Sequence, residues 1–391
     1  MIIGIEGWAV VGFVLAAYAV VGNDALQTLG TFINSNRHVH WTLLFAFAAI
    51  ILVATFTYGW VTNGGDPSWG RLTNTAKFPV LEETRWYHAI PPLALLVLTR
   101  FGIPVSTTFL VLTIFATLGG LFSMLEKSLI GYVLAFVVGG GLYAALTPTL
   151  ERWFRDTEDR PRGLVWIVLQ WTTTAYLWGV WLIQDFANIF VFLPRELSAA
   201  QSFSAMAVIV VLLGITFANR GGPVQRILRA KTAVTDIRSA TVIDFTYASL
   251  LFFFKEMNDI PMSTTWVFLG LIAGREYAFT LVGRAREVAV TAIDVGGDVA
   301  KAFIGIVISI DLAVGLPALA RAAGGAGAGE AAGLSGGFLV FVALVNLGLP
   351  LALWFLARAR DRSFGAVLGM AFVGATVTLG AFYGLGMLLG F

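Results

Sequence analysis

The 391-residue chain contains no cysteine, which excludes disulfides, thiolate metal sites and cysteine nucleophiles. Charge is scarce. Asp, Glu, Lys and Arg make up 12% of the residues, about half the share found in soluble domains. Histidine occurs only as His38, His40 and His88, at spacings that make no metal constellation. There is no G-x-x-x-x-G-K-[ST] loop, so the chain is not itself an ATP-driven pump. With no nucleophile–base pair and no metal cluster, an enzyme is not expected. The formal net charge of +2 is too small to argue for nucleic acid or another polyanion. What abounds is apolar surface. Hydrophobic residues reach 58%, more than a water-soluble fold of this size can cover. An all-α polytopic membrane protein remains. The apolar start carries Glu6 instead of the basic region of a secretory signal, so residues 5–28 are expected to be the first crossing.

Segments long enough to span run at 5–28, 41–62, 128–150, 164–192, 199–218, 294–320, 334–357 and 363–390. Two further apolar regions, Tyr87 to Gly120 and Val242 to Val282, are interrupted by charge and proline. The limb before each interruption is about 14–15 residues long, short for a crossing. Both are expected to be re-entrant helical hairpins; two tightly packed crossings would preserve the same flanking sides. With the N-terminus outside, the inward loops and Arg275 hold 17 Lys and Arg residues. The outward loops hold six: Arg71, Lys77, Arg85, Lys127, Arg195 and Arg321. The asymmetry fits the positive-inside rule and places both termini outside a bacterial or archaeal inner membrane. Hairpin 1 then enters from outside and hairpin 2 from the cytoplasm. Trp60, Trp69 and Trp86 suit interfacial anchoring, Gly139-Gly140-Gly141 suits close helix packing, and 323–337 reads as a Gly- and Ala-rich outer loop.

Two motifs recur in the same order. Ile103-Pro104-Val105-Ser106-Thr107-Thr108 returns as Ile260-Pro261-Met262-Ser263-Thr264-Thr265, and Asn23-Asp24-Ala25-Leu26-Gln27 is matched by Gln184-Asp185-Phe186-Ala187-Asn188. Asp24 precedes Ser106 by 82 residues and Asp185 precedes Ser263 by 78. The two halves, 1–150 and 164–320, start on opposite sides and form an inverted-topology repeat, joined by a cytoplasmic linker at 151–163. Residues 321–391 add two C-terminal helices. Inverted repeats place substrate sites at the repeat interface near the midplane.

Asp24 and Asp185 lie in apolar helices with no Lys or Arg one turn away. A bound Na⁺ or a proton would compensate each; an aspartate capping a broken half-helix is the bland alternative. Each Ser-Thr-Thr triplet follows a proline suited to a helix start. Its hydroxyls, backbone N–H groups and helix dipole make an anion pocket. Hydroxyls gluing membrane helices together are the alternative for one copy alone. Arg100 and Asp259 flank the two tips as accessory charges, either functional or solvated. Asp311 lies in an apolar segment without an assigned role.

These residues resemble the inorganic phosphate transporter (PiT) family, which carries G-x-N-D-x-x-N-x-x-G and P-V-S-T-T-H motifs in each half. The resemblance spans about residues 1–320. It implies cation-driven symport of phosphate, or of sulfate in some relatives, by a homodimer in the lipid bilayer. Carried over, Ser106, Thr107, Thr108, Ser263, Thr264 and Thr265 hold the oxyanion, helped by Asn23 and Asn188. Asp24 and Asp185, with Gln27 and Gln184, hold the coupling Na⁺ or H⁺; no other cofactor is implied. Gln27 and Gln184 each replace a family Asn, and Phe109 and Trp266 stand where the family has His. These departures leave two alternatives open: a sulfate or other oxyanion permease of the same fold, and a non-transporting receptor or assembly component on a transporter scaffold.

Overall fold

The computed structural model describes residues 4–23, 25–100, 105–157, 163–219, 236–257, 259–282 and 287–322. Helix dominates, and no strand occurs among the described residues. The crossings expected at 334–357 and 363–390, the loop 323–337, most of 219–241 and Asp24 lie outside the described residues. Among the described residues twelve α-helices follow in chain order: α1 (Gly7–Asn23), α2 (Ala25–Ser35), α3 (Trp41–Thr62), α4 (Ile90–Arg100), α5 (Thr107–Leu112), α6 (Leu118–Leu146), α7 (Arg152–Asp156), α8 (Leu164–Phe190), α9 (Ala199–Ala218), α10 (Ile237–Met257), α11 (Thr264–Leu281) and α12 (Val288–Ala322). Among the described residues five stretches are long and apolar enough to cross a membrane: α3, α6 continued to Phe154, α9, α10, and α12 up to Pro317. They are compatible with an integral membrane protein. Their outward faces carry exposed apolar side chains, among them Ile50, Val61, Val137, Phe203 and Val211, as contact with acyl chains requires.

Several boundaries differ from the sequence expectation. The first apolar run does not stop at residue 28. α1 and α2 are bent by 45° to one another, and α2 continues to Ser35 because Leu29, Phe32 and Ile33 bury one face. The third crossing begins at Leu118, not 128. Thr117 caps it by accepting from Gly120 N at 3.3 Å, and Glu126-Lys127, both good helix formers, do not interrupt it. Lys127 is therefore a buried helical residue, not part of an outer loop.

The first limb of hairpin 2 is also longer than the apolar count. α10 starts at Ile237, where Arg238 is anchored to Asp236 (2.6 Å), Thr157 Oγ1 (2.6 Å) and Phe154 O (2.6 Å) and lies over the Phe154 ring. At 21 residues this limb has the length to cross, so the argument from shortness fails for the second expected hairpin; before the first, the apolar stretch is the shorter Trp86–Thr99. α8 has 27 residues but is not among the five apolar stretches. It buries Gln170, Thr173, Thr174, Gln184, Asp185 and Asn188 against its neighbours.

α6 and α11 pack backbone to backbone. A Cβ at Gly139 would lie 2.8 Å from Leu271 O, and one at Gly270 or Gly274 would collide with Tyr132 O or Phe136 O. Small residues permit this approach where no water-driven force presses apolar helices together. The connection from Asn63 to Arg71 is equally fixed. Asp66 accepts from Ser68 N (2.7 Å), Ser68 Oγ (2.6 Å) and Gly70 N (3.0 Å). Leu197 N donates to Gly65 O (2.9 Å), and Trp60 Nε1 donates to Leu197 O (2.9 Å). Trp69 adopts φ +59 and lays its indole on Gly59. Trp60 and Trp69 thus clamp a loop instead of serving only as interfacial anchors; Trp86 is exposed.

Candidate functional site

The two Ser-Thr-Thr copies fold alike. Ser106 accepts from Phe109 N at 3.2 Å and caps α5, and Ser263 accepts from Trp266 N at 3.2 Å and caps α11. Their dihedrals nearly coincide, at φ −71, ψ 117 and φ −75, ψ 105. The equivalence ends there. α11 has 18 residues, whereas α5 has six before a 3₁₀ turn, so a helix-end field comes from the second copy.

The copies meet inside the bundle. Thr108 Oγ1 donates to Met262 O at 3.0 Å, and Asn188 Nδ2 donates to Thr108 Oγ1 at 3.3 Å. Asn188 also donates to Asp185 Oδ1, while Thr264 Oγ1 donates to Asp185 Oδ2 at 3.0 Å. Gln27 Nε2, from α2, donates to Thr265 Oγ1 at 3.3 Å. Phe109 and Trp266, the residues after each triplet, pack edge to face at 6.2 Å. Ser106, Thr107, Thr108, Ser263, Thr264, Thr265, Asp185, Gln184 and Asn188 are all 2% exposed or less. A carboxylate, two amides and hydroxyls from both copies thus share one interior region, drawn from α2, α8 and the two tips.

Not every expected residue is placed. Asp24 and the side chains of Asn23 and Arg100 lie outside the described residues. Asp259 is exposed at the second tip. Gln184 bonds to protein groups in this structure. Its Oε1 accepts from Arg71 Nη2, and its Nε2 donates to Leu251 O at 3.0 Å. Among the described residues no group of three His, Asp or Glu side chains is arranged to hold a metal ion. Asn188 Oδ1, Trp266 Nε1 and Arg71 Nε are buried with no hydrogen-bond partner among the described residues.

Sequence reasoning missed four contributors. Arg71, assigned to an outer loop, is 2% exposed beside α8. Burial pushes its guanidinium pKa down to about 10, while the carboxylates of Asp259 and Asp185 pull it upward. Lys127 donates to Ile260 O at 2.9 Å, and Ser128 Oγ accepts from Ser263 N at 2.9 Å, so α6 holds the second tip. Asp244 on α10 is 1% exposed and accepts from Thr31 Oγ1 (2.8 Å) and Thr174 Oγ1 (2.6 Å), joining α2, α8 and α10. A lone carboxylate in an apolar run was the available signal for Asp244; nothing local marks Arg71. No family model, curated protein or solved structure matches the chain.

Proposed function

We propose that the chain is a secondary active transporter that couples Na⁺ or H⁺ to uptake of a tetrahedral oxyanion, phosphate first, by alternating access. In this proposal the halves 1–150 and 164–320 are inverted repeats of a divergent PiT-like fold, and the tips of two hairpins close on one solute. The observation that carries it is the meeting of the two triplets beside Asp185 and Asn188, with Thr108 bonded to Met262 O and Thr264 to Asp185. Hydroxyls and amides from opposed elements can exchange these internal bonds for bonds to an oxyanion. A cation at Asp24 or Asp185 lowers the cost of bringing that anion into a dry interior.

Phosphate is favoured over sulfate by Asn188 Oδ1. It is a buried acceptor without a partner among the described residues, and its amide orientation is set by the donation to Asp185. Phosphate carries an O–H donor at neutral pH and sulfate does not.

Replacing both triplets with alanine is expected to weaken phosphate binding by at least tenfold, since several neutral hydrogen bonds of about 1 kcal/mol each are lost. Calorimetric titration of the purified protein with phosphate and with sulfate reads this directly, and an unaltered isotherm would remove the triplets from the site. If neither anion binds or thermally stabilises the wild type, with or without Na⁺, the chain is a non-transporting scaffold protein instead.

A further inference from the structure

Arg71 is the least expected member of the site. Its segment is held by Asp66, by the Gly65–Leu197 pairing and by Trp69 in a backbone conformation that L-residues rarely adopt. That rigidity delivers a guanidinium to the Gln184–Asp185 end of α8, where it is 2% exposed. The amide oxygen expected to ligate a cation accepts from Arg71 Nη2. Both Asp185 oxygens accept from protein donors, Asn188 and Thr264. Nε of Arg71 has no partner among the described residues. Among the described residues, the charged groups in electrostatic reach of the guanidinium are Asp259 and Asp185, which favour its charge, and Lys127 on α6.

We propose that Arg71 is a tethered cation that replaces one mobile coupling ion at the Gln184–Asp185 end of α8. The proposal rests on the oxyanion-transport reading and deepens it. An arginine is never deprotonated under physiological conditions, so it keeps a positive charge on the Gln184 amide oxygen in every step, without ion binding or release. One fewer cation then enters with each oxyanion than two carboxylates would demand. Arg71 is here a positioning and charge-compensating residue, and a purely structural role would leave ion stoichiometry untouched.

The test is the charge moved per oxyanion, read from the reversal potential of labelled phosphate flux in proteoliposomes under known ion gradients. Wild type and Arg71→Lys are expected to move equal charge. Arg71→Gln is expected to move one additional positive elementary charge, with a steeper cation dependence. Arg71→Met, which keeps the buried stem, substitutes if Arg71→Gln does not fold. Equal charge in the neutral variants and the wild type overturns the proposal and leaves transport standing. A cooperative two-cation dependence in the wild type overturns it without any variant. Absence of phosphate and sulfate flux in the wild type overturns the transport reading and this inference with it.

Discussion

Asp185→Asn is expected to abolish oxyanion uptake while leaving the chain folded and inserted. The substitution keeps the shape of the side chain. It replaces one of two acceptor oxygens with a donor that must face Asn188 Nδ2 or the Thr264 hydroxyl. Each contact to an ionised acceptor contributes about 1.5–3 kcal/mol, so losing one outright and turning the other into a neutral bond costs on the order of a hundredfold in transport rate. Thr264 begins α11 at the second tip, so the change also weakens the hold of α8 on that tip. Labelled-phosphate uptake beside size-exclusion and thermal-melt controls checks the result. Uptake within twofold of the wild type would take Asp185 out of the mechanism.

Gly274→Leu is expected to have the largest effect on stability. A Cβ at this position collides with Phe136 O and stands 2.6 Å from Gly140 N, and both are backbone atoms of α6 that no rotamer change can clear. α6 and α11 would have to separate along the seam, loosening the Ser263 N–Ser128 bond that fixes the tip. The expected cost is at or above the upper end of the roughly 1–3 kcal/mol typical of overpacking. It should appear as a lowered melting temperature in detergent and poor recovery of monodisperse protein. Gly141→Ala, on α6 but facing open space instead of the seam, should melt like the wild type.

The sequence carried the long apolar elements well. α3 and α9 begin and end where the apolar runs do, because each is bounded by polar turn residues. The shared fold of the triplets was legible too, since Ser before a helix start has one strong local preference. Charge misled wherever it was buried. Lys127 and Arg71 read as solvated loop residues because a single charge in a sequence carries no sign of a distant carbonyl or amide waiting for it. The contact between Arg71 and Gln184 closes 113 residues of chain, and no local pattern encodes it. Asp244 was hidden differently. Counting apolar residues from Val242 placed it in a short limb, whereas Arg238 starts the helix earlier and the Thr31 and Thr174 hydroxyls satisfy the carboxylate.

The pinned Asn63–Arg71 connection has a practical side. Links between membrane helices are commonly the softest parts of such proteins, yet this one is bolted to α3 through Trp69 and Gly59 and to the approach of α9 through Leu197. An antibody fragment or nanobody gripping exposed residues 73–76 just beyond it would hold a shape with a constant orientation to the bundle. That would make it a fiducial for imaging a particle otherwise hidden in its micelle.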